Sequence, residues 1–292
     1  MFLVTGITGH VGGATAQTLL SSGHKVRALV RNPQKAAAWA SKGVELVPGE
    51  FTDAAAVANA LRGVEGAYIM LPRIFTPQPG FPETKAVIAS YVDALKQVPP
   101  PRLVVLSSIG SEKTERLGLI TQTHLLEQAL AEFTFPIAFI RAASFFENFV
   151  AQLGPASQTG TLYSFYQPLD RPVPSIATQD IGALAANLLA GKSWTGRRVL
   201  ELGSPYSLTQ YAAAMSEVLG RPVTPQAVPR ERWTATLASF GFPDGTGAYE
   251  EMVDNFNAGW IHFGVPGTEQ VAASTTPQQV FAAAQRAQAQ PA

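Results

Sequence analysis

Thr5-Gly6-Ile7-Thr8-Gly9-His10-Val11-Gly12-Gly13 decides how the rest of the chain is read. It follows the apolar run Phe2-Leu3-Val4 and opens residues 14–22, where Leu19 and Leu20 mark the buried face of a helix. Strand, glycine turn and helix in that order form a phosphate cradle. Gly6 permits the tight turn, Gly9 lets the backbone approach a pyrophosphate, and Gly12 lets the helix pack close to the strand. The helix then presents free N–H groups and the positive end of its dipole to the phosphates. The turn predicts a bound dinucleotide, with Thr5, Gly6, Thr8, Gly9, His10 and Val11 around it.

The first half of the chain alternates strand and helix patterns. Strands are expected at 25–30, 44–47, 66–71, 102–107 and 135–141. Helices are expected at 33–42, 54–61 after an Asp53 cap, 83–96 and 122–132. Leu103-Val104-Val105-Leu106 is apolar throughout, as a strand buried on both faces must be. This alternation predicts an α/β fold, a Rossmann-type doubly wound parallel sheet whose ligand lies at the carboxyl ends of the strands. After about Ser144 the rhythm changes. Residues 155–174 are rich in turn residues and aromatics, a helix is expected at 180–189, a strand at 198–202 and a helix at 209–219. We therefore expect a dinucleotide-binding domain over 1–150, rejoined by 174–203. A smaller C-terminal α/β lobe on the substrate side takes 151–173 and 204–292. Thr276-Pro277 reads as a helix start, and 285–292 as a fraying tail.

Bulk properties narrow the classes. The 292 residues are 46% hydrophobic, enough for a large core. Lys and Arg number 21, as do Asp and Glu, so net charge is zero and neither nucleic-acid nor membrane-surface binding is indicated. Charged residues are only 14%, against about 25% in a typical domain, which is compatible with a homodimer or an open apolar cleft. The absence of cysteine excludes disulfides, thiolate metal sites and cysteine nucleophiles. The four histidines show no metal spacing, so no metal is expected. No apolar run is long enough to cross a membrane, and the amino terminus has no signal-peptide pattern, so the expected location is cytoplasmic.

The end of the second strand selects the cofactor. NAD sites carry an acid there for the ribose 2′-hydroxyl. Here Ala28-Leu29-Val30-Arg31-Asn32 has none, and Arg31 instead suits a 2′-phosphate, with Lys35 adding charge. The expected cofactor is NADP(H).

With these residues in hand, the chain resembles the NmrA-like group of atypical short-chain dehydrogenases/reductases. Thr5-Gly6-x-x-Gly9-x-x-Gly12 matches that family's phosphate turn, and Val30-Arg31-Asn32 its NADP-selecting strand end. Gly49-Glu50-Phe51 is similar to its adenine-side stretch. Arg141-Ala142-Ala143-Ser144-Phe145-Phe146-Glu147-Asn148 is similar to its arginine–aromatic–Glu-Asn signature. The resemblance implies that Phe145, Phe146, Glu147 and Asn148 lie beside the nicotinamide. It also implies that Leu71 and Pro72 flank the ribose, and that Ser107 and Ser108 end the strand on which the nicotinamide rests. Asp180 resembles the acid opening a later helix, where N-capping is its expected job.

Ordinary short-chain dehydrogenases use a Tyr-x-x-x-Lys pair to protonate a carbonyl. Anchored on Glu127 in His124-Leu125-Leu126-Glu127, those positions fall on Leu119 and Thr123. Carbonyl reduction by that route is not expected. A quinone, azo bond or dye cation is already electrophilic and needs only proximity to the nicotinamide. The catalytic group is therefore unassigned, with His124, as a proton donor, and Ser108 as the candidates. Phe75, Tyr163, Phe165, Tyr166, Trp233 and Phe240 form either an apolar substrate wall or lobe core. The function expected is an NADPH-dependent oxidoreductase of small apolar or aromatic acceptors. The alternative is a non-catalytic NADP(H) sensor that binds a protein partner.

Overall fold

The computed structural model describes residues 1–289. Eight strands build one parallel sheet: β1 (Phe2–Thr5), β2 (Val26–Val30), β3 (Glu45–Pro48), β4 (Gly66–Ile69), β5 (Leu103–Ser108), β6 (Ile137–Ala142) and two later strands defined below. α1 (His10–Ser21) and the one-turn α2 (Ala37–Ala40) lie on one face. α3 (Ala54–Leu61), α4 (Pro82–Gln97) and α5 (Thr121–Ala129) cross over on the other. β7 (Ser144–Phe145), α6 (Leu153–Thr159), β8 (Thr161–Ser164) and β9 (Val173–Ile176) follow. α7 (Thr178–Ala190) then returns to pack beside α1, and β10 (Arg197–Leu202) pairs with β6. The remainder is β11 (Ser204–Tyr206), α8 (Leu208–Leu219), β12 (Thr224–Ala227), α9 (Trp233–Ser239), α10 (Gly247–Asn257), β13 (Glu269–Val271) and α11 (Pro277–Ala289).

The sheet order is β13-β10-β6-β5-β4-β1-β2-β3, with every pairing parallel. The chain reverses direction across the sheet between β1 and β4, which opens a crevice at their carboxyl ends. Alternate residues face opposite layers. Val104, Ala138 and Ile140 join the core under α1 and α7, whereas Leu103, Val105, Ile137 and Phe139 join the core under α3, α4 and α5.

Two expectations need correction, and one strand was not expected. The helix expected over 33–42 is a turn of 3-10 helix at Gln34–Ala36 followed by the four residues of α2. Only Ala36 of that stretch is buried, so little packing supports a longer helix. The tail expected to fray from 285 is helical through Ala289, anchored by the fully buried Phe281; residues 290–292 lie outside the described residues. β13 was not legible at all, having three residues and pairing only with β10. Among the described residues no helix is long and apolar enough to cross a membrane.

Candidate functional site

The glycine turn is shaped by close approach. Gly6 sits at φ +66°, in the left-handed region, and a Cβ there would lie 3.0 Å from Met70 Sδ. A Cβ on Gly12 would land in the Gly6 carbonyl group and 2.7 Å from Thr5 O, so only glycine lets α1 approach β1 this closely. Gly9 N–H donates to Gly6 O at 2.9 Å and closes the turn. Gly9 is extended, and no side chain caps α1. Thr8, Gly9 and His10 are exposed, so the amino terminus of the helix opens to solvent.

Thr5 is not exposed. Its hydroxyl donates to Tyr68 O at 3.2 Å and accepts from Met70 N–H at 3.1 Å, clamping β1 to the end of β4. Tyr91 OH donates to Met70 O at 2.8 Å. Both backbone groups of Met70 are thus held, which places the half-buried Leu71 and Pro72 beside the turn. Val11 is buried, and its side chain belongs to the core.

Arg31 leaves β2 directly. Asn32 Oδ1 accepts from the N–H of Gln34 and of Lys35 at 2.9 and 3.2 Å, a local turn that leaves Arg31 and Lys35 exposed together. Gly49 N–H donates to Val30 O at 3.0 Å and brings the exposed Glu50 and half-buried Phe51 to the same rim. Asp53 accepts from Ala55 and Ala56 N–H at 3.0 Å and caps α3.

A buried polar row crosses the other end of the crevice. Ser107, Arg141 and Glu201 stand in register on β5, β6 and β10. Ser107 Oγ donates to Glu127 Oε1 at 2.5 Å. Arg141 forks onto Glu127 at 3.0 and 2.7 Å and reaches Glu112 Oε2 at 3.2 Å. Burial works against the charged guanidinium, but the Glu127 hydrogen bond and the charges of Glu127, Glu112 and Glu201 hold its pKa above the ordinary arginine value. Glu201 is fully buried and accepts from Gly264 N–H at 2.6 Å and Val265 N–H at 3.2 Å, which fastens the carboxyl-terminal segment to the sheet.

Ser111 links this row to α5. Its Oγ lies 2.7 Å from Thr123 Oγ1 and 3.1 Å from Ser107 Oγ, and its carbonyl lies 2.9 Å from His124 Nδ1. With Nδ1 donating to that carbonyl, Nε2 is the free nitrogen of the half-buried His124 ring. Ser108 Oγ donates to Ile109 O at 3.0 Å, a local turn contact.

The Phe145–Asn148 signature divides. Phe145 is half-buried in β7 and Asn148 is exposed. Phe146 is fully buried, edge-on to Tyr206 and Tyr211 at 5.3 and 5.6 Å, so its side chain is core. Glu147 Oε1 accepts from Thr178 N–H and Oγ–H at 2.9 and 2.6 Å and caps α7. Asp180 does not cap its own helix. It accepts from Ser274 N–H at 3.1 Å and from Thr275 N–H and Oγ–H at 2.9 and 2.7 Å.

The expected aromatic wall divides too. Trp233, Phe165 and Tyr166 are buried lobe core. Phe75 and Tyr163 are half-buried, and Phe240 is exposed. Sequence reading missed Phe242 and Tyr249, which join Phe75 across the lobe. It also missed Glu112, Ser111 and Glu201. A charge inside the apolar run Val199-Leu200-Glu201-Leu202 was the available signal. Burial raises the pKa values of Tyr68, Tyr91, Tyr166, Tyr211 and Tyr249, so none of these phenols is a base at neutral pH. No group of three or more histidine, aspartate or glutamate residues is placed to hold a metal among the described residues.

A doubly wound sheet with an uncapped glycine turn at its crevice defines a dinucleotide-binding class of protein. The NmrA-like family model matches residues 1–259, and the chain belongs to that family. It is 32% identical over 226 residues to a (4-alkanoyl-5-oxo-2,5-dihydrofuran-3-yl)methyl phosphate reductase of Streptomyces griseus, covering 76% of this chain and 75% of that protein. It is 28% identical to quinone oxidoreductase 2 of Escherichia coli, covering 84% of each. The crystal structure of an NADPH-dependent quinone oxidoreductase of Escherichia coli complexed with NADPH has the same fold. Its TM-score is 0.75 at 24% identity, over 97% of this chain and 99% of that one.

Proposed function

We propose that the protein is an NADPH-dependent oxidoreductase of flat, electrophilic acceptors such as quinones or dyes, working without a Tyr/Lys pair. The observation that carries this reading is the uncapped amino terminus of α1 with Arg31 exposed at the end of the neighbouring β2. Support comes from relatives that include a quinone oxidoreductase, an azoreductase and a further reductase.

In this reading the N–H groups at Thr8 and His10 hold the pyrophosphate, and Gly6 and Gly9 leave it room. Arg31 and Lys35 grip the 2′-phosphate, and Glu50 and Phe51 border the adenine. Leu71 and Pro72 border the ribose. Ser107, Thr123, Phe145 and Asn148 frame the nicotinamide end, with the Arg141–Glu127 pair fixing Ser107 and, through Ser111, Thr123. When bound, the nicotinamide supplies a hydride, two electrons and one hydrogen nucleus. A quinone or azo acceptor then needs one proton, from solvent or by way of His124, and a triphenylmethane cation needs none. Leu119 and Thr123 stand where the Tyr/Lys pair would be, so polarisation of an unactivated ketone is not part of the activity. The low charge density of the chain supports a homodimer, which sedimentation tests.

NADPH oxidation, followed by absorbance against a panel of quinones, azo dyes and triphenylmethane dyes, is the test. Saturable turnover with at least one acceptor is expected. Tight NADPH binding with no turnover on any of them would leave the sensor reading instead.

A further inference from the structure

The geometry points to Arg73 as a specificity-determining residue that selects acceptors bearing an anionic group beside the flat ring. The inference rests on the reductase reading above. Arg73 follows Leu71 and Pro72 out of β4, three residues beyond Met70, whose backbone Thr5 and Tyr91 hold against the glycine turn. It therefore stands at the mouth of the crevice.

Its guanidinium carbon lies 5.4 Å from the ring centre of Phe75. Phe75 stacks on Phe242 at 4.4 Å, with 26° between the planes, and meets Tyr249 at 4.9 Å. Phe165 continues the strip at 6.1 Å from Tyr249, and Phe240 follows at 6.4 Å from Phe165. Phe240 is 42% exposed, the most open large hydrophobic side chain among the described residues. A strip of aromatic rings thus runs from the end of β4 into the lobe, with a cation at its sheet end.

That cation is uncompensated. Arg73 is exposed and, like several other arginines, forms no ion pair among the described residues; its place beside Phe75 at the end of the aromatic strip sets it apart. Its field reaches the strip. Burial raises the Tyr249 pKa, and the Arg73 charge opposes that rise. An unpaired guanidinium fork matches a sulfonate, carboxylate or phosphate, and the neighbouring rings match the aromatic body that carries it. A neutral quinone uses the rings alone.

Naphthoquinone and its ring-sulfonated derivative separate the two contributions, with naphthalene sulfonate as a non-reacting probe. The sulfonated quinone is expected to have the higher kcat/KM in the wild type. R73A should lower the ratio of sulfonated to neutral kcat/KM about tenfold, the scale of one charge-assisted hydrogen bond, and R73K should fall between. Calorimetry on the NADP-loaded protein should show naphthalene sulfonate binding weakened to the same extent. A change below about twofold in both the ratio and the sulfonate Kd overturns the assignment. If sulfonate binding depends on Arg73 while neither quinone is reduced, the anion site stands and the reductase reading falls.

Discussion

Arg141 holds Glu127 with both arms of its guanidinium, Nε 3.0 Å from Oε1 and Nη2 2.7 Å from Oε2, at the carboxyl ends of β5 and β6. Arg141 is 7% exposed, so removing its partner leaves a buried charge. Glu127→Ala should cost about 3 kcal/mol of stability or more. Ser107 donates to the same carboxylate, so NADPH affinity should fall as well. Urea denaturation with cofactor titration checks both. A stability loss below about 1 kcal/mol would show that the remaining contact to Glu112 suffices.

The glycine turn offers a paired comparison. At Gly12 a Cβ collides with the Gly6 carbonyl and Thr5 O, which are backbone and cannot yield. At Gly9 its nearest neighbour is Gly6 O at 3.3 Å. Gly12→Ala should lose about 1–3 kcal/mol from overpacking and bind NADPH poorly. Gly9→Ala should melt near the wild type, and its added methyl should obstruct the phosphates. Equal melting temperatures for the two variants would contradict this.

Arg31→Ala separates the two nicotinamide cofactors. NADPH affinity should fall about tenfold or more, and NADH affinity by less than about threefold, because only NADPH carries the 2′-phosphate. Equal losses for both cofactors would remove the assigned role.

Glu250 gives a pH signature. Burial raises its pKa, but hydrogen bonds from Thr234, Thr246 and Arg230 and the Arg230 charge outweigh burial and leave it below the ordinary 4.5. A carboxyl whose folded pKa is depressed stabilises the protein above its unfolded value and loses that contribution as pH falls through the folded one. Stability should therefore decline below about pH 4.5 in the wild type. In Glu250→Gln that part of the slope should vanish, with stability already lower at neutral pH. A melting profile across acid pH that is parallel for the two proteins would refute the prediction.

The parallel sheet, the glycine turn and the expectation of NADP over NAD follow from the amino-acid sequence. Those features are local. Apolar periodicity sets strand and helix, the Gly6, Gly9 and Gly12 spacing encodes a backbone shape, and Arg31 follows its strand directly. Tertiary structure alone decided which distant side chains meet. Glu127, Glu112 and Glu201 converge on Arg141 from three separate segments, and strand register brings Ser107 and Glu201 alongside it. Phe75 finds Phe242 and Tyr249 across more than 160 residues of sequence. Phe146 and Glu147, adjacent in a legible motif, went to core and helix cap, while Phe145 stays half-buried and Asn148 exposed. β13 joined the sheet because β10 offered an open edge, and three residues carry no periodicity that would announce it.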